Sequence, residues 1–143
     1  MRLYVGLVHF PVYNKHQETI ASAITPLDIH DFARLSKTYG IKGFFVVTPL
    51  EDQQALANRI LRHWISGYGA RYNRHRKEAL SLVSVTSSLN MALEKVKEKE
   101  GDTVTIVATD AAMQENRAVS YETLRGLVLS DELVFLLFGT AWG

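Results

Sequence analysis

Apolar positions along this chain fall alternately into short runs and helical stripes. Leu3 to Val8 is apolar with β-branched residues and reads as a first strand. Ile29, Phe32, Ala33, Leu35 and Tyr39 recur at helical spacing, so a helix with one packed face follows. Asp28 suits its N-terminus and Gly40 its stop. His30, Arg34 and Lys37 stack on the opposite face at spacings of four and three. Phe44 to Val47 is a short aromatic and β-branched run, the pattern of a strand buried on both faces. Thr48-Pro49-Leu50-Glu51 then offers a capping threonine, a first-turn proline and a glutamate three residues after the cap. Ala57, Ile60, Leu61 and Trp64 carry a second helix from Leu50 to the region of Ile65.

Ser66 to Lys77 breaks the pattern: glycines stop the helix, and a loop follows that mixes tyrosines with basic residues. Leu82 to Val85 reads as a strand. Ser87 or Ser88 caps a third helix through Leu89, Ala92, Leu93 and Val96, which Gly101 ends. Thr103 to Ala108 is a strand by β-branched content, Thr109 to Val119 a polar loop. Ser120 begins a short helix with Leu124, Leu127 and Val128 inward, and Leu133 to Phe138 is the last strand. His9 to Ile24 is long for a connection, which marks it as a candidate functional segment. Within it Tyr13-Asn14-Lys15 can turn and Thr19 to Ile24 can extend a strand.

This alternation predicts one α/β domain over residues 1–143, a mostly parallel sheet of about five strands with helices on both faces. Ligands on such sheets sit beyond the carboxyl ends of the strands. Those ends are His9, Thr48, Thr86-Ser87, Thr109-Asp110 and Gly139-Thr140. The length suits a single core. Formal net charge is +1, so an argument for nucleic acid must rest on local clustering. The absence of cysteine excludes disulfides and thiolate chemistry. His9, His16, His30, His63 and His75 show no metal-ligand spacing, so no metal is expected. No nucleophile-elbow, Walker or dinucleotide glycine pattern is present. Met1 to Val5 runs straight into a strand without a signal peptide, and no apolar run reaches membrane-spanning length. A cytoplasmic protein without a membrane partner is expected.

The stretch from Thr25 to Val47 resembles the first motif of the SPOUT superfamily, the knotted S-adenosylmethionine-dependent RNA methyltransferases. There an Asx-Pro loop leads into a helix with a functional arginine, then a glycine and a hydrophobic strand. Here Thr25-Pro26 replaces the Asx-Pro and Arg34 takes the arginine position. The chain as a whole is similar to a bacterial subgroup that carries the segment Gly67-Tyr68-Gly69-Ala70-Arg71-Tyr72-Asn73. The resemblance implies methyl transfer from S-adenosylmethionine to RNA, most often tRNA, by a homodimer. It also implies a third cofactor segment and a threaded C-terminal helix beyond Gly143. Over these residues the domain is therefore expected to be incomplete, without its knot, and the alternative is a non-catalytic RNA-binding or oligomerisation domain.

Arg34 is the catalytic candidate: the resemblance has it orient a phosphate or help deprotonate the target, where residue type alone allows a solvated surface arginine. Arg71, Arg74, Arg76 and Lys77 are candidates for RNA phosphates, Tyr68 and Tyr72 for stacked bases. Gly139, Thr140, Trp142 and Gly143 resemble the glycine loop that holds S-adenosylmethionine, and glycine admits close approach to backbone. Ala108, Thr109 and Asp110 align with the second cofactor loop, where Asp110 can bond a ribose hydroxyl or cap its own turn. One cavity at the carboxyl edge of the sheet is expected to gather Arg34 and Gly139.

Overall fold

The chain opens with β1 (Arg2–Val8), a two-residue pair β2 (Val12–Tyr13) and β3 (Thr19–Ile20), then α1 (Pro26–Thr38) and β4 (Gly43–Val47). Next come α2 (Glu51–Ile65), α3 (Tyr68–Tyr72), α4 (Arg74–Leu80), β5 (Val83–Thr86) and α5 (Leu89–Glu100). The last elements are β6 (Thr105–Ala108), α6 (Tyr121–Leu129) and β7 (Leu133–Gly139). This is a computed structural model, which describes residues 1–101, 103–112, 114 and 116–142.

The main sheet runs β5-β4-β1-β7-β6, every neighbouring pair parallel. All five strands therefore end on one edge, as the alternating pattern predicts. Side chains alternate across the pleat. Val5, Leu7, Phe44 and Val46 meet Ile29 and Ala33 of α1, Ala57 and Leu61 of α2, and Ala79 and Leu80 of α4. Tyr4, Phe45, Val47 and Phe135 face Ala92 and Val96 of α5. Phe44 is the densest point: it is 0% exposed, and its ring stacks on Phe32 at 5.2 Å between centroids. Gly6 has a packing reason, because a Cβ there would lie 2.6 Å from the Phe135 ring on the neighbouring strand.

Helix ends follow the local chemistry. Thr25 caps α1 by accepting from the Asp28 N–H, and its hydroxyl donates to the Asp28 carboxylate. Gly40, at φ 68°, supplies the left-handed residue after α1. Ser88 rather than Ser87 caps α5, and Ser120 caps α6. Five expectations change. The buried stripe of α1 is Ile29, Ala33 and Ser36, while Leu35 and Tyr39 are exposed because they lie off the 3.6-residue face. Thr48 lies outside α2, whose N-cap is Leu50 without a side-chain bond. Thr48 is instead buried, accepting from the Leu50 N–H and from Gln54 Nε2 through its carbonyl. The segment after Gly67 folds into α3 and α4, since Asn73 caps α4 through the Arg76 N–H. The long connection after β1 contains an antiparallel hairpin rather than one extended strand. The sixth strand begins at Thr105, two residues later than expected.

Across the α5 face, the Tyr4 hydroxyl donates to Glu100 Oε1 at 2.6 Å, and Lys42 Nζ donates to the same oxygen at 3.2 Å. Burial and the adjoining carboxylate push the Tyr4 hydroxyl pKa up. The Tyr4 hydrogen bond, and then Lys42, hold Glu100 below the usual carboxylate range. A depressed carboxylate pKa contributes stability above its unfolded value, and that stability is lost as pH falls through the folded value. Tyr4→Phe is therefore expected to cost about 1.5 kcal/mol near neutral pH, the low end for a hydrogen bond to a charged group. Urea unfolding of both proteins across the acid range checks it, with the two curves converging once Glu100 is protonated.

Candidate functional site

Two polar regions flank α1. The first is the carboxyl edge of the sheet, where loops after β1 and β7 are laced together. The Thr140 hydroxyl donates to the Val8 carbonyl at 3.0 Å. Its single proton is thereby used, so it accepts from the Ser22 hydroxyl beside it. Ser22 Oγ then accepts from His9 Nδ1–H at 3.0 Å. This donor accounting assigns His9 the Nδ1–H tautomer and leaves Nε2 a bare lone pair. His9 is 1% exposed and Nε2 has no partner. Burial pulls the imidazole pKa down, against a weaker opposing pull from Asp28, which agrees with a neutral ring. The Trp142 N–H donates to the Tyr13 carbonyl at 3.0 Å, tying the loop after β7 to the hairpin β2–β3.

The loops expected to hold a cofactor stand side by side on this edge. Thr109 donates to the Leu137 carbonyl through both its N–H, at 2.9 Å, and its hydroxyl, at 3.0 Å. Asp110 accepts from the Ala112 N–H at 2.8 Å and from Gln114 Nε2 at 2.7 Å. These bonds hold its carboxyl below the usual range, so of its two expected uses it makes the turn cap. Ala108, Thr109, Asp110 and Gly139 are exposed, and Trp142 presents its ring at 71% exposure. Gly143 lies outside the described residues. The arrangement fits one wall of an adenosine-bearing cofactor's site: open backbone around a glycine, an uncovered indole face, and an unpartnered buried acceptor in the adjoining cluster.

The second region lies on the outer side of α1. Successive helical residues turn by about 100°. Phe32 thus points at the sheet, its ring 5.2 Å from Phe138, while Arg34 faces α4. There Arg34 and His30 oppose Asn73, His75 and Arg76 across a cleft of about 180 Å³ floored by Ala79 and Leu80. Arg34 pairs with Asp31, and both are largely exposed. Arg76 lies over the Trp64 ring at 4.4 Å from its centroid. His30 and His63 each meet the same indole edge-on, at 5.8 and 4.9 Å. A Cβ at Gly69 would come within 2.4 Å of that ring, so glycine lets α3 seat against it. The cleft that Arg34 lines takes its other residues from α1 and α4, and Gly139 is not among them.

The other basic candidates surround this cleft. Arg74 donates to Glu78 at 3.1 Å and Lys37 reaches the same carboxylate at 3.5 Å, holding it below the usual range. Arg71 and Lys77 are exposed. Tyr68 and Tyr72 stack on each other at 6.4 Å with 76% and 77% exposure, leaving ring faces to solvent. His30 and His75 line the cleft, and Trp64 backs it through Arg76 and His30, without the three having been singled out as a set. The spacing of His30 and Arg34 by one helical turn pointed to half of it. A larger hollow of about 400 Å³ is lined by Asn58, Leu61, Arg62, Ile65 and Ser66. All come from α2 and its C-terminal turn, so it is a surface groove where no second element converges. Among the described residues no group of acids and histidines could hold a metal ion, and no helix is long and apolar enough to cross a membrane.

Known proteins are similar to this sequence over 99% of its length. A tRNA (guanine-N(1)-)-methyltransferase of Oleidesulfovibrio alaskensis is 40% identical over 141 residues, 99% of this chain and 32% of its own length. The protein of the same name from Nitratidesulfovibrio vulgaris matches to the same extent. An uncharacterised protein of Aquifex aeolicus is 30% identical over 142 residues, 69% of its length. The chain thus spans about a third of the length of the two named relatives. The family profile described as SAM-dependent RNA methyltransferase matches residues 2–143, which takes in every strand of the sheet and both regions beside α1. The chain belongs to that family of SAM-dependent RNA methyltransferases.

Proposed function

We propose that this chain is the SPOUT-type domain of an enzyme that methylates a nucleotide of tRNA, working as a cytoplasmic homodimer. The observation that carries the reading is the pairing of an open glycine ledge at the carboxyl edge with a basic, aromatic surface on α3 and α4. S-adenosylmethionine supplies an electrophilic methyl group when bound. Ala108, Thr109 and Asp110, with Gly139, Thr140, Trp142 and Gly143, are the residues to hold it, chiefly by backbone. The Thr140–Ser22–His9 chain of hydrogen bonds fixes that loop. Direct displacement at the methyl carbon would need chiefly positioning from the protein, and an acceptor that carries a proton, as guanine N1 does, would also need that proton removed, the role the resemblance offers Arg34. Arg34, Arg71, Arg74, Arg76 and Lys77 address RNA phosphates, and Tyr68 and Tyr72 stack on unpaired bases. The name of the two relatives makes N1 of guanine in tRNA the acceptor to test first.

The second reading is a domain that holds RNA without methylating it. It is favoured by Asp110 being spent on its own turn and by the Arg34 cleft being lined from α1 and α4 without Gly139. Titration calorimetry of the full-length gene product with S-adenosylmethionine separates the two. Saturable heat in the wild type that is lost in Gly139→Val, with RNA binding retained, supports the enzyme. No heat at high cofactor concentration alongside intact RNA binding leaves the second reading.

A further inference from the structure

We propose that the cleft between α1 and α4 is a phosphate subsite that takes one backbone phosphate of the bound RNA. The proposal rests on the RNA-side reading above and adds a defined place to it. The described residues bring four basic side chains from two elements, Arg34 and His30 with His75 and Arg76, to one cleft. Its volume of about 180 Å³ is too small for a whole cofactor, since small-molecule pockets run to about 300–1,000 Å³. A water's share of liquid volume is about 30 Å³, so a phosphate group fits with part of its hydration. The floor is apolar: Leu80 is 0% exposed and Ala79 7%. Low polarity beneath an anion strengthens its attraction to the surrounding cations.

The cations are held ready in different ways. Arg76 rests on Trp64, so it has fewer rotamers to lose when an anion arrives. Trp64 is itself wedged by His30, His63 and the close approach of Gly69. Arg34 is tied only to Asp31, with 68% and 58% of the two side chains exposed. Exposed pairs of this kind are weak, so a phosphate can share or take over the guanidinium. His30 meets Asp31 and Arg34 on its own helix, His75 and Arg76 on α4, and Trp64 on α2 with His63 against the same indole. Burial and then Arg76 and Arg34 pull its pKa down. An anion seated among those cations reverses their effect, so His30 takes up a proton as phosphate binds and becomes a donor to it.

The test is an NMR titration of the histidine ring signals in the full chain, first with inorganic phosphate and then with a short single-stranded RNA. Both are expected to move His30 and His75 saturably and to raise the His30 midpoint by about one pH unit, a tenfold change in proton affinity. Arg34→Gln with Arg76→Gln should abolish saturation, and both are surface residues whose loss leaves the aliphatic core signals in place. Asp31→Asn, which removes the competing carboxylate, should tighten phosphate binding several-fold. RNA binding that leaves His30 and His75 unmoved overturns the subsite while the RNA reading stands. Saturation by inorganic phosphate with no response to RNA assigns the cleft to a free phosphate compound and overturns the RNA assignment.

Discussion

Replacing Arg71, Arg74 and Lys77 together by alanine is expected to weaken RNA binding by roughly tenfold or more and to flatten its salt dependence. Each phosphate contact on a single strand contributes about −0.7 to the slope of log affinity against log salt, so the three together account for about two units. All three side chains are exposed, and α4 is held by Ala79, Leu80 and the Asn73 cap. The fold should therefore survive. Arg74 already shares Glu78 with Lys37 and should carry the smallest part. Fluorescence anisotropy with labelled RNA at several salt concentrations reads both quantities. An unchanged slope would place RNA elsewhere and leave this surface to protein contacts.

Phe44→Ala is the largest expected loss of stability, about 3–5 kcal/mol, the range for an aromatic removed from a packed core. Phe44 is 0% exposed in the second strand of the sheet, flanked by β1 and β5 and stacked against Phe32. The hole would open beneath α1 and unseat Phe32, which also meets Phe138 one residue before Gly139. Urea unfolding followed by Trp64 and Trp142 fluorescence measures the cost. Against a typical total of about 5–15 kcal/mol, such a loss leaves a marginal domain.

The sheet was legible in the sequence because buried parallel strands leave continuous apolar runs, as at Phe44 to Val47 and Leu133 to Phe138. The helix ends at Gly40, Ser88, Gly101 and Ser120 were legible for local reasons of capping and left-handed backbone, whereas α1 is capped by Thr25 and Asp28 sits in its first turn. The segment from Gly67 to Leu80 was not. Its helices are short, its basic and aromatic content masks their periodicity, and the contact that seats them, Gly69 against Trp64, is tertiary. The same limit applies to the polar regions. Nothing in the spacing of His9, Ser22 and Thr140 shows that they share one line of protons, because 118 residues separate the last two. Arg34 was placed on the right face of its helix, but the neighbour across from that face depended on where α4 returned.

The tie between Trp142 and Tyr13 has a consequence for engineering this scaffold. The hairpin at residues 12–20 resembles a decoration open to trimming or exchange between relatives. Yet its turn is closed by Asn14, and its first strand anchors the backbone two residues past Thr140. A graft that shortens the hairpin would release the loop after β7 along with it, so the two segments must be transplanted as one unit.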